Sequence, residues 1–309
     1  MALKQFRTLD EQLEIMRNKG LTINDEQKAK EILFRENYFF INGYRFPFML
    51  STKDRKFIEG TTFDELYALF QFDRKLRNIM FKHLLIVENN LKSIISYQLS
   101  KKYGIKEKDY LKPSNFTQDT KKVMQVNDVI NKMKRQIRVN GRQHTATFHY
   151  LSNYGYIPLW VLVKVLSFGI ISELFLILKV EDQQAISDVY HLRVETLATY
   201  LPILSNYRNL CAHEDILFDH KTQRLIPDTE YHEDLDIPKV EEEYIYGKDD
   251  LFALMIILKQ MLREEEFVDL VNEVSYEIDR LEGSLKSIPI AKILNRIGYP
   301  LNWIEIKNM

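Results

Sequence analysis

Cysteine is almost missing: the 309 residues hold one, Cys211. A single thiol can form no intramolecular disulfide and no zinc site built on cysteine ligands, and it suits a reducing compartment. Glycine, at 10, and proline, at 8, are also scarce. So few turn formers, with Leu, Ile, Lys and Glu recurring at helical spacing, point to a mostly helical chain. The opening MALKQFRTLDEQLE has no apolar run behind its first basic residue, so it carries no secretion or insertion signal, and a cytoplasmic location is expected. The one long apolar stretch, IPLWVLVKVLSFGIISELFLILKV (157–180), is interrupted by Lys164 and Glu173. Each charge costs about 2.5 kcal/mol or more near a bilayer centre, so the expectation is a buried central helix and no membrane association.

What is present is the composition of a soluble globular protein, 45% hydrophobic and 28% charged, with a net charge of -1. That near-neutral sum hides a segregation. Residues 121–142 carry seven basic side chains, Lys121, Lys122, Lys132, Lys134, Arg135, Arg138 and Arg142, against one acid, Asp128. Residues 228–282 carry eighteen acids against five bases. A basic surface attracts polyanions, and an acidic segment can cover it or repel competitors; two solvated faces of opposite sign are the plainer alternative.

Helical periodicity organises the chain. Leu13 and Met16, then Ala29, Ile32 and Leu33, indicate two short amphipathic helices separated at Gly20, closing on the aromatic loop NYFFINGYRFPFM, where Asn42-Gly43 and Pro47 break the helix. Thr62 stands three residues before Glu65, a capping-box spacing. Leu76, Met80, Leu84, Val87, Leu91 and Ile95 then follow on one stripe as far as about residue 103. Glu88 lies about 40° from the centre of that stripe, and a carboxylate so near a core face requires a partner or must reach to the helix edge. His144 and His149 are five apart with no acid between them, so no metal site is expected. The expected segments are an N-terminal helical extension (1–60), a helical bundle (61–220) and an acidic C-terminal helical region (221–309).

RNLCAHEDILF (208–218) stands out from its surroundings. Leu197, Leu201, Leu204 and Leu210 form a buried stripe that runs into it, which places Arg208 and His213 on a core helix. Asn209 and His213, at i and i+4, share a face, whereas Arg208 and His213 are about 140° apart. Expected is a cleft entered by Asn209 and His213, with Arg208 reaching round from the side. A guanidinium holds phosphate oxygens and stabilises added charge; an imidazole takes or gives a proton near neutral pH. A buried histidine satisfied by a backbone carbonyl would explain the same residues.

RNLCAH fits the Arg-x(4)-His pattern, with Asn after Arg, of the HEPN ribonuclease superfamily. The blocks ENYFFINGYRFPFM, FDELYALFQFDRKLRNIMFKHLLIVENNLKSIISYQLSKKYG, IPLWVLVKVLSFGIISELF and YRNLCAHEDILF, in this order over residues 36–218, resemble the Abi-like family of bacterial abortive-infection proteins, of the AbiD and AbiF type. The region after Asp219 has no such likeness. The resemblance implies an all-α HEPN bundle that cuts RNA in phage defence without metal or other cofactor. It gives Arg208 the phosphate, His213 the acid or base role and Asn209 their positioning. RNA is the implied partner, as substrate and as a candidate silencing non-coding RNA, and a homodimer would supply the second histidine. Glu88 is our own addition, as the charge partner that aligns Arg208. A non-catalytic module that binds RNA or protein through residues 121–142 is the competing expectation.

Overall fold

The computed structural model describes residues 5–51, 53 and 55–309; residues 1–4, the start of the N-terminal stretch read for a targeting signal, lie outside the described residues. Thr8 opens α1 (Leu9–Arg17) through a capping box with Glu11, and Asp25 caps α2 (Glu26–Glu36). The two expected amphipathic helices therefore form, with Gly20 between them at a φ of 90°. α3 (Tyr38–Gly43) ends where Asn42-Gly43 was expected to break the chain, and Pro47 sits in a single 3-10 turn.

Thr62 and Glu65 make the capping box that starts α4 (Phe63–Tyr103), whose 41 residues extend for about 60 Å at ~1.5 Å per residue. Its expected stripe, Leu76 through Ile95, is buried throughout. Next come α5 (Glu107–Tyr110), α6 (Val123–Asn140) and α7 (Thr145–Tyr154). The apolar stretch 157–180 is not one central helix. It divides into α8 (Leu159–Leu162) with a short 3-10 turn, and α9 (Phe168–Ile177). Leu166 is extended, and the Ser167 hydroxyl accepts the N–H of Ile170 at 3.3 Å, so a serine inside the apolar run starts a second helix. Both halves are buried as expected, and no helix among the described residues is long and apolar enough to cross a membrane.

α10 (Val180–Ser187) leads to α11 (Val194–Ala212), which lies against α4 and α9. The C-terminal third holds α12 (Glu230–Asp234), a two-residue hairpin of β1 (Lys239–Val240) and β2 (Glu243–Tyr244), then α13 (Leu251–Met261), α14 (Glu264–Glu282) and α15 (Ile290–Ile297). The fold is all-α apart from this hairpin. α13 is apolar on nearly every side and buried accordingly. α14 packs chiefly along α4, burying Phe267, Leu270, Val271 and Val274. The Glu65 carboxylate ties the end of that region down by accepting the backbone N–H groups of Lys286 (2.7 Å) and Ser287 (2.6 Å). The acidic helix therefore lies on α4 and not over the basic helix α6, whose main neighbours are α9 and α7.

Candidate active site

Two buried carboxylates on α4 organise the end of α11. Glu88 is 3% exposed. Its Oε1 accepts from Lys92 Nζ at 2.7 Å and its Oε2 from Arg208 Nε at 3.1 Å. Glu88 and Lys92, four apart, share a face of α4, and packing of α11 on α4 brings Arg208 to them. A buried carboxylate is tolerable only when so paired. The Arg208 guanidinium is held along one edge, stands 5.8 Å from the centre of the Phe81 ring, and directs Nη1 toward Asn209 Oδ1 at 3.4 Å. Its side chain remains 28% exposed, so the rest of the fork faces solvent.

His213 is not on the helix itself. α11 ends at Ala212, and His213 is its cap, at φ -96° and ψ 4°, with its N–H still bonded to the Asn209 carbonyl at 3.0 Å. Glu214 then takes a left-handed conformation (φ 58°), which turns the chain away and leaves His213 exposed. The second carboxylate explains the early end. Asp73, fully buried, accepts the N–H groups of Leu217 (3.2 Å) and Phe218 (2.7 Å), the Tyr44 hydroxyl (2.7 Å) and the Arg77 guanidinium. Arg77 in turn donates to the Asp215 carbonyl at 3.3 Å and to Tyr44 at 3.1 Å. Burial pushes the Asp73 carboxyl upward, against the pull of Arg77 and of the hydrogen bonds it accepts. The segment after His213 is thus pinned to α4 from within.

His213 lines an open cleft of about 830 Å³ together with Phe34, Arg35, Phe40, Tyr44, Phe70 and Arg74. Neither Arg208 nor Asn209 is among the lining residues. The structure therefore brings Arg208 to Glu88 and Asn209, and His213 to the aromatic cleft beside α2 and α3, but puts no guanidinium of Arg208 in the histidine's cleft. Asn209 and His213 stay joined through the backbone, the His213 N–H bonding the Asn209 carbonyl, while their side chains have different neighbours: Arg208 for Asn209 and the aromatic cleft for His213. The cleft's own cations are already engaged: Arg74 holds Glu36 by two bonds (3.0 and 2.6 Å), and Arg35 pairs with Glu31 at 3.0 Å. Cys211, two residues before His213, is buried, and burial pushes its thiol up to about 12, so it supplies no thiolate nucleophile at neutral pH.

Tyr44, Asp73 and Arg77 were not singled out from the sequence, although one signal was there. Asp73 stands three residues before Leu76 and seven before Met80, an acid on the apolar stripe like Glu88. Of the basic set, Lys122 Nζ donates to the Leu176 carbonyl at 3.1 Å, and Lys132 pairs with Glu173 (2.8 Å) and Asp128 (2.9 Å). Lys121, Lys134, Arg135, Arg138 and Arg142 are exposed and have no acidic partner among the described residues. His149 meets Asn153 at 3.1 Å and two tyrosine rings, and His144 is half-buried. Among the described residues no three His, Cys, Asp or Glu side chains gather as a metal site would require.

These features define an all-helical protein in which a buried carboxylate orients an arginine on one helix and a histidine stands open at that helix's cap. The chain belongs to the Abi-like protein family, whose model matches residues 31–219, well over half its length and all of the cluster just described. Membership supports a role in abortive infection, a defence against phage. No curated protein and no solved structure matches the chain.

Proposed function

We propose that the protein is a metal-independent endoribonuclease of the HEPN superfamily, of the AbiD and AbiF type, that cuts RNA in the cytoplasm during abortive infection. The observation that carries this reading is the pairing of Arg208 with buried Glu88, five residues ahead of an exposed His213. An arginine fixed along one edge keeps its remaining N–H groups directed outward, the arrangement needed to hold a phosphate and to stabilise the charge that builds on it. The reaction is attack of the ribose 2'-hydroxyl on the adjacent phosphorus, with departure of the 5'-oxygen and formation of a 2',3'-cyclic phosphate. A base removes the 2'-proton and an acid protonates the leaving oxygen, and one imidazole per chain serves one of these roles at a time.

One imidazole per chain leaves the second proton-transfer role to another chain, so the composite site is assigned to a homodimer. The aromatics beside His213, with Phe34 at 79% and Phe40 at 55% exposure, supply apolar surface for a second copy to bury. The test is cleavage of RNA by the purified full chain in EDTA. Cyclic-phosphate ends are expected, with His213→Ala reducing the rate at least about 100-fold. Undiminished cutting by that variant would falsify the assignment.

A second reading, a non-catalytic module that binds RNA, is favoured by the unpaired cations of α6. It predicts salt-sensitive RNA binding without new ends, including for a silencing non-coding RNA.

A further inference from the structure

α7 is unusual in what it leaves in solvent. Of its ten residues one, Thr147, is buried. Phe148 is 50% and Tyr154 58% exposed. The rings nevertheless form a connected cluster. Tyr150 and Tyr154 lie 5.4 Å apart between centres, and Tyr154 and Tyr156 6.4 Å. Gly155 makes the second of these pairings possible: at a φ of 75° it caps α7 in the left-handed region and turns the chain so that Tyr156 comes back against Tyr154. The rings are tilted against one another, Tyr150 and Tyr156 half-buried and Tyr154 exposed, and rings so fixed are held ready for a planar ligand.

The helix that packs against α7 carries cations. α6 runs into α7 through a turn closed by the buried Thr147 hydroxyl, which donates to the Asn140 (2.6 Å) and His144 (2.9 Å) carbonyls. Lys134, Arg135 and Arg138 lie within about 100° of one another on α6, Arg135 and Arg138 opposite its buried Val126, Val129, Ile130 and Met133 and Lys134 at the edge of that face. On the other side of the cluster, Lys106 Nζ is 5.4 Å from the centre of the Tyr156 ring.

We propose that α6 and α7 form one surface for single-stranded RNA, in which Lys134, Arg135 and Arg138 hold phosphates while Tyr150, Tyr154 and Tyr156 stack on unpaired bases. A duplex would satisfy the cations alone, because its bases are stacked inside and leave the rings nothing to cover. An unpaired strand satisfies both, since every base has a π face and stacking tolerates any sequence. The ten residues of α7 extend for about 15 Å, the length of about four stacked nucleotides at ~3.4 Å each. This assignment rests on RNA being the substrate, and it makes the substrate class unpaired RNA.

The experiment uses the full chain carrying His213→Ala, so that the probe stays intact, with a labelled unstructured oligoribonucleotide of about 12 nucleotides and a duplex of equal length. Fluorescence anisotropy should show tighter binding of the unpaired strand. Tyr154→Ala should weaken it at least about fivefold without changing the slope of log affinity against log salt, and Tyr154→Phe should restore it. Arg135→Ala with Arg138→Ala should instead lower that slope by about 0.7 for each phosphate no longer neutralised. Melting midpoints equal to the parent's exclude misfolding. Equal affinity for the duplex, parental binding by Tyr154→Ala, or no RNA binding at all would each overturn the proposal. If the parent chain does not cut RNA while the Tyr154 dependence holds, the nuclease reading falls alone. If it cuts and Tyr154→Ala binds as before, the stacking surface falls alone.

Discussion

A carboxylate beneath a guanidinium can stabilise a fold, orient a reagent or do both, and Glu88 separates the two roles experimentally. Removing it in Glu88→Ala leaves the Lys92 ammonium buried without a counter-charge, and a drop of about 3 kcal/mol in urea unfolding is expected. Replacing both Glu88 and Lys92 by leucine removes the buried charges together, so most of that stability should return. RNA cleavage should not return, because Arg208 would still lack the acceptor of its Nε. Recovery of cleavage together with stability would show that the pair serves packing alone. The glutamate was legible as an acid misplaced on an apolar stripe; its simultaneous bond to Lys92 was legible only as an i,i+4 spacing among many.

At the scale of elements, helix ends decide where the chemistry sits. Caps made by residues close in sequence, Thr8, Asp25 and Thr62, could be read directly. The end of α11 could not, because its terminator, Asp73, lies 144 residues from the Leu217 N–H it accepts. The cap of α13 is local in sequence, but its burial is set by the tertiary structure. That N-cap, Asp250, is 2% exposed and accepts the N–H of Ala253 at 3.0 Å, while a Cβ on Gly298 (φ 84°) would collide with its carboxyl group. Burial raises this carboxyl from 3.8 to about 7. Between those values the folded chain keeps a proton that the unfolded chain has released. The residue's contribution to stability is therefore largest at the acid end and falls as pH rises through the window, by at most about 1.4 kcal/mol per pH unit. Asp250→Asn keeps a capping oxygen and should flatten that part of the dependence. Urea midpoints compared near pH 4.5 and pH 7 measure it, and an unaltered difference between the two would show the carboxylate ionised throughout.

For the whole molecule, the acidic C-terminal third is part of the packing around α4 and not a loose cover. Its helices α13 and α14 bury Phe252, Ile256, Phe267 and Leu270 in the same hydrophobic cluster as Leu69 and Leu76 of α4. None of the seven basic residues between 121 and 142 pairs with it among the described residues. Deleting residues 228–309 should therefore strip a core face rather than unmask a basic cleft, yielding aggregated or partly unfolded protein with no gain of RNA cleavage. A soluble, more active truncation would reinstate the covering role.

The sequence by itself determined which segments are helical, which faces are apolar and which ionisable residues stand out of place, because periodicity and caps are properties of neighbours a few positions apart. Only the tertiary structure decided that α11 ends at Ala212 and that Glu88 takes Arg208 as its partner. Each of these outcomes is settled by the environment in which a polar group finds its partner, and for Asp73 and Glu88 those partners lie more than a hundred residues away along the chain.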